Sequence, residues 1–286
     1  MSKTIQRLLT FFIGVPFFVA VTWFFTFNNH LILNIFVLLA SLFGTYEIHS
    51  LLKNKFEVQP LPLILVLSLI ISATGIFCCL CGKGFEFITY SFILCFLLIL
   101  ISEVFVTHSK GNDPFSGSLS RIITSLFALL YVPFLLSFIQ RMCVFEHSKE
   151  NITLFLVMVF MCDSVAWLFG ITMGKNNRGI VKASPNKSIA GFIGGFIGAL
   201  LSGLLFWYFL PQIFTGSVLK IILLSIITAF ASIVGDLTES VVKRSAAIKD
   251  SGRLIPGRGG LMDSIDSIVM AAPIYFIVSN ILYNFK

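Results

Sequence analysis

The sequence predicts an all-α fold: a polytopic integral membrane protein of about nine transmembrane helices, N-terminus cytoplasmic and C-terminus outside. Three observations carry that expectation. Hydrophobic residues make up 57% of the chain and charged ones 12%, against about 45–50% and about 25% in a soluble domain. The apolar runs are continuous and show no alternation at period two, which selects helices over a barrel. With nine spans placed, fifteen of the twenty Lys and Arg residues fall on the N-terminal side and five on the other. That asymmetry puts the N-terminal side in the cytoplasm.

The elements follow in order. Lys3 and Arg7 precede a run over 8–27. Its length of about 20 residues and the lack of a small-residue cleavage site make it a first transmembrane helix rather than a signal peptide. Further runs cover 31–48, 61–82, 85–106, 120–141, 152–173, 189–210, 217–235 and 267–285. Pro16, Pro133 and Pro273 lie inside spans and predict kinks. Gly191, Gly194, Gly195 and Gly198 form a smooth stripe for close helix packing, within the chain or across a homodimer. The six cysteines show no CxxC spacing and read as small hydrophobes. No soluble domain is visible, so the chain reads as a single membrane domain, 1–150 as scaffold and 151–286 carrying the chemistry. A net charge of +7 then records topology and attraction to anionic lipid rather than nucleic acid.

Polar residues concentrate in two connections on the predicted cytoplasmic side, 174–188 and 236–266. The second holds the cations Lys243, Arg244, Lys249, Arg253 and Arg258 and the acids Asp236, Glu239, Asp250, Asp263 and Asp266. If the eighth helix continues past Gly235, then Asp236, Glu239 or Ser240, and Lys243 share a face. Asp263 and Asp266 stand at i, i+3 at the start of the ninth, so the two pairs can converge on one hard cation. Oxygen ligands suit Mg²⁺, which takes one or two carboxylates and completes its shell with water and phosphate. The cations, with amides freed by Gly257, Gly259 and Gly260, make a phosphate cradle. Ser184, Pro185, Asn186 and Lys187 aim further donors at the same place. Asp163, about 16 Å below the end of the sixth span, is the one ionisable residue placed deep within a predicted span.

These residues resemble a family. Gly235-Asp236-Leu237-x-Glu239-Ser240, then Lys243-Arg244, Lys249-Asp250, Pro256-Gly257-x-Gly259-Gly260 and Asp263-x-x-Asp266-Ser267 look like the C-terminal signature of phosphatidate cytidylyltransferases, or CDP-diacylglycerol synthases. The segment SPNKSIAGFIGG at 184–195 is similar to the family's SPKKTWEGFIGG. The chain departs from the family pattern at Arg258, usually histidine, at Ser264, usually arginine, and at Ala190, usually glutamate. Arg258 is expected to supply the cation that Ser264 lacks.

The resemblance implies transfer of a cytidylyl group from CTP to phosphatidate, with Mg²⁺, in phospholipid biosynthesis. Asp236 and Asp263, with Asp266, match the metal-binding acids. Lys243, Arg244, Lys249 and Asp250 fall in the catalytic set, and Ser184, Lys187, Ser240, Arg258, Gly259, Gly260 and Asp163 in the substrate set. CTP, phosphatidate and membrane lipid are the implied partners, and a bacterial inner membrane with the active site facing the cytoplasm is the implied location. A CTP-dependent lipid kinase would transfer the γ-phosphoryl group instead. A transporter predicts deep charges spread over several helices and inverted repeats.

Overall fold

The computed structural model describes residues 3–105, 115–248, 251–252 and 259–285, with side chains from residue 13 onward. Among them stand nine helices and no strand beyond an isolated bridge between Arg178 and Ser188. The helices are α1 Lys3–Phe24, α2 Phe27–Leu52, α3 Leu61–Cys81, α4 Glu86–Phe105 and α5 Ser118–Met142. α6 Ser148–Thr172, α7 Ile189–Phe209, α8 Val218–Ser245 and α9 Met262–Tyr283 complete the set. Eight of them, α2 to α9, are long and apolar enough to cross a membrane, and the described part of α1, Ile13–Phe24, is shorter but apolar. The protein is an integral membrane protein.

Side-chain distribution is that of a protein in lipid. On α4, Tyr90, Ile93, Leu94, Leu97 and Ile101 face outward, while Ser41, Thr45, Ser68 and Ser72 are buried between α2 and α3. Where hydrocarbon surrounds the bundle, apolar packing alone does not favour helix association, so small and hydroxyl-bearing residues line the contacts. Thr45 and Ser68 share a 3.0 Å hydrogen bond across α2 and α3.

The glycine stripe on α7 packs against α6. A Cβ at Gly194 would lie 2.8 Å from both the Phe169 Cβ and the Val165 carbonyl oxygen, and one at Gly195 3.0 Å from the Cys162 Sγ. The stripe is thus taken up within the chain and presents no free face to a second copy. Gly235 does the same between α8 and α9, where a Cβ would sit 2.6 Å from the Asp266 carbonyl oxygen.

Local irregularities have readable causes. Pro133 lacks an N–H, and α5 absorbs this as a π-helical turn over Leu130–Phe134. Asn28, Asn29 and His30 hold φ of 48°, 51° and 59° inside α2, so its regular part begins where the hydropathy run begins.

Asp163 is not the only carboxylate within a span. Glu47 on α2 and Glu103 on α4 are buried, whereas Asp163 is half-buried. Glu103 is paired with Arg121 of α5 through two 2.8 Å bonds. Sequence reading passes over these two because each is a lone charge in an apolar run. Of the six cysteines, five are buried and all are free.

Candidate active site

Hydropathy ends the eighth span at Gly235, but α8 continues ten residues further, to Ser245. No Gly or Pro interrupts the ten residues beyond Gly235, and Asp236, Glu239, Ser240 and Lys243 fall on one face of the extension. The close crossing at Gly235 brings this face level with the first turns of α9. Lys243 Nζ lies 2.5 Å from the Asp263 Oδ1 and also pairs with Glu239.

The other Asp263 oxygen accepts the Ser251 N–H at 3.0 Å, the Ser251 hydroxyl at 2.9 Å and the Gly260 N–H at 2.8 Å. Gly259, beside it, holds φ +115°, which a side chain would resist. Gly260 therefore acts through its backbone amide, as a support for Asp263.

The connection between α6 and α7 reaches the same place. Ser188 caps α7 by accepting the Gly191 N–H at 3.0 Å. Arg178 donates to the Gly170 carbonyl at 3.2 Å, and the Arg244 Nε donates to the Ala183 carbonyl at 3.3 Å. Held at both ends, this loop sets Lys187 against Asp236 in an ion pair. Burial works against the charge on Lys187. The Asp236 carboxylate, with Asp163 and Asp266 behind it, outweighs that and holds the ammonium above the ordinary lysine range.

Among these groups lies one cavity of about 710 Å³. Its acids are Asp163, Asp236, Asp263 and Asp266, and its cations Arg178, Lys187, Lys243 and Arg244. Ser184, Asn186 and Ser240 add neutral donors, and Trp167, Leu168, Phe192 and Ile233 form an apolar wall. Asp163 sits at the inner end, where the Ser267 hydroxyl donates to it at 3.1 Å. Asp266 is buried and accepts the Ser267 N–H at 2.7 Å. Lys249, Asp250 and Arg258 lie outside the described residues, so the cation exchange expected between Arg258 and Ser264 does too. The Ser264 hydroxyl itself is buried with no hydrogen-bond partner among the described residues.

Sequence reasoning missed Glu47 and Ser251, which brace Asp263, and the apolar members Trp167 and Phe192. Aromatic residues in a chain with 32 phenylalanines carry no local signal. Glu47 did have one, as a single carboxylate near the end of an apolar run.

Among the described residues no three His, Cys, Asp or Glu side chains are grouped to hold a metal ion. Lys187 and Lys243 stand against the acids instead. The donor chemistry nevertheless fits Mg²⁺, which needs only one or two protein carboxylates when water and phosphate complete the shell. One buried carboxylate oxygen, the Glu239 Oε1, has no hydrogen-bond partner among the described residues.

Comparison with known proteins agrees with this chemistry. A stretch of 121 residues is 39% identical to a phosphatidate cytidylyltransferase of Haemophilus influenzae, covering 42% of each chain. Over 193 residues the chain is 32% identical to the enzyme of the same name from Thermotoga maritima, covering 65% of this chain and 68% of the relative. The match to the Staphylococcus haemolyticus relative is 37% over 122 residues, 43% of this chain and 46% of that one. The chain thus spans less than half the length of two of these relatives and about two thirds of the third. The model of the cytidylyltransferase family, by contrast, matches from residue 5 to residue 282, through every helix from α1 to α9. On that match the chain belongs to the cytidylyltransferase family.

Proposed function

We propose that this protein transfers the cytidylyl group of CTP to phosphatidate, giving CDP-diacylglycerol and pyrophosphate. The observation that carries the reading is the cavity itself. Four carboxylates and four cations share one space with an apolar wall, at the ends of helices that cross a membrane. A nucleotide and a lipid headgroup need both halves of that lining. The excess of basic residues on the side of this cavity supports a cytoplasmic opening. The bacterial sources of the relatives support a bacterial inner membrane.

In this reading a phosphatidate oxygen attacks the α-phosphorus of CTP in line. A new P–O–P linkage forms, the bond from the α-phosphorus to its β-bridging oxygen breaks, and pyrophosphate leaves with the electron pair. The attacking phosphomonoester has a second pKa of about 6, so it is already anionic at neutral pH and needs no general base.

The chain contributes position and charge. Lys187 and Lys243 stand ready against Asp236, Glu239 and Asp263. Arriving phosphates compete for these ammonium groups and free carboxylate oxygens as they do so. Arg178 and Arg244 add charge at the rim. Trp167, Leu168, Phe192 and Ile233 face the lipid side of the headgroup. Mg²⁺ held by Asp236, Asp263 and Asp266 would supply polarisation of the phosphoryl oxygens and screening between two anionic reactants.

The reading is tested with detergent-solubilised protein, phosphatidate and CTP labelled at either the α or the γ position, with and without a chelator. The expected result is α label in lipid, none from γ, and loss of transfer on chelation. Label entering lipid from the γ position would establish a kinase and overturn the proposal.

A further inference from the structure

Glu47 lies on α2, far in sequence from the cavity, and its carboxylate is buried. It accepts the Leu261 N–H at Oε1 and the Met262 N–H at Oε2, each at 2.8 Å, and approaches the Ser251 hydroxyl at 3.2 Å. Amides in the first turn of a helix have no partner within the helix. No side chain of the Leu261 cap residue serves those of α9. Glu47 supplies the missing acceptor from another helix, and its charge suits the positive end of the helix dipole.

Three glycines shape the socket. A Cβ at Gly252 would lie 2.6 Å from Glu47 Oε1, and one at Gly260 2.5 Å from Oε2. One turn earlier on α2, a Cβ at Gly44 would lie 2.9 Å from the Met262 Sδ. The start of α9 is therefore seated closely against α2, and a side chain at any of these glycines would have to displace Glu47 or Met262.

Ser251 connects this socket to the cavity. Its hydroxyl lies 2.9 Å from Asp263 Oδ2 and 3.2 Å from Glu47 Oε2. A serine has one hydroxyl hydrogen, so it serves one carboxylate at a time. When Asp263 turns to a ligand, Ser251 can transfer its hydrogen bond to Glu47 rather than leave it unmade.

We propose that Glu47 is a positioning residue for the cytidylyl-transfer site. It fixes the first turn of α9 and its flanking backbone so that Asp263 faces Lys243 and the cavity, and it serves as the alternate acceptor for Ser251. The inference rests on the reading of the cavity given above.

The test uses full-length Glu47→Gln, which keeps the size of the side chain but sets an NH₂ against backbone donors, and Gly252→Ala, which intrudes on the carboxylate from outside. Two quantities are measured in detergent: hydrogen exchange of the 259–262 amides without substrates, and steady-state kinetics. In both variants these amides should exchange at least about tenfold faster, with α3 and α4 unchanged. The kcat should fall about tenfold to a hundredfold, with the KM for phosphatidate held within about twofold because Glu47 is not among the residues lining the cavity. Wild-type exchange at 259–262, or wild-type kcat, in Glu47→Gln overturns the proposal. If the unmodified protein makes no CDP-lipid, the reaction reading fails, while the exchange contrast still decides whether Glu47 holds α9.

Discussion

At the scale of single residues, the cavity is built from charges already matched to one another. Lys187 pairs with Asp236, and Lys243 bridges Glu239 and Asp263. Unpaired, any of these would be costly to bury. Paired, they form a store of two ammonium groups against three carboxylates that substrates can redistribute. Because the pKa of Lys187 is raised in the fold, its favourable contribution is complete below the ordinary lysine value. It is lost only as pH climbs through the raised one. Lys187 therefore places no limb in the pH–rate profile between about pH 6 and 9. Lys187→Met should lower kcat/KM about a hundredfold uniformly across that range. A variant that instead shifts an ionisation within it would show that the role assigned to Lys187 is wrong.

Not all of this pairing was legible. The acids of 236–266 stand out because so few charges occur elsewhere, and their i, i+3 spacing announces a shared face. The partner of Asp236 is set by a loop closure across 49 positions, and Glu47 meets Leu261 across 214. Neither separation leaves a local trace, since the contacts exist only once α2, α8 and α9 have packed.

At the scale of elements, hydropathy located every helix but fell short at the two ends that build the cavity. α8 runs on to Ser245 and α9 begins at Met262, beyond the predicted limits of 235 and 267. Hydropathy stops where charge begins, whereas the backbone stops where its hydrogen bonds do. The charged extensions are helical, and that regularity is what aligns Asp236 with Lys243 and Asp263 with Asp266.

The glycine stripe of α7 was legible as a contact but not as to its partner, which proves to be α6. Its Cβ positions are occupied by the Phe169 and Cys162 side chains and the backbone of α6. Gly195→Leu should therefore destabilise the protein by about 1–3 kcal/mol through overpacking, measured as a lowered thermal midpoint in detergent. An unchanged midpoint would mean that α6 and α7 are not packed as described.

At the scale of the whole molecule, the division of labour follows the chain. The residues lining the cavity run from Cys162 to Asp266, on α6 to α9 and the connection between α6 and α7. The earlier helices pack around them, and α2 reaches across with Glu47. The proposed orientation, with the cavity open to the cytoplasm, rests on the fifteen-to-five division of Lys and Arg among the connections predicted from the sequence. It is checked by placing a single cysteine, in a cysteine-free background, at Lys83→Cys or at Lys182→Cys. A membrane-impermeant maleimide applied to intact cells, with an outer membrane permeabilised if one is present, should label the first. The second should require lysis, and the opposite pattern would turn the molecule over.

The central claim is that cytidylyl transfer takes place in the cavity shared by Asp236, Asp263 and the lysines that pair with them. It is tested most directly by transfer of α-labelled CTP to phosphatidate in purified Asp236→Asn, compared with the unmodified protein at matched folded concentration. Labelled lipid should form with the unmodified protein and fall by about a hundredfold or more in the variant. Labelled lipid at the unmodified rate in Asp236→Asn would contradict the account.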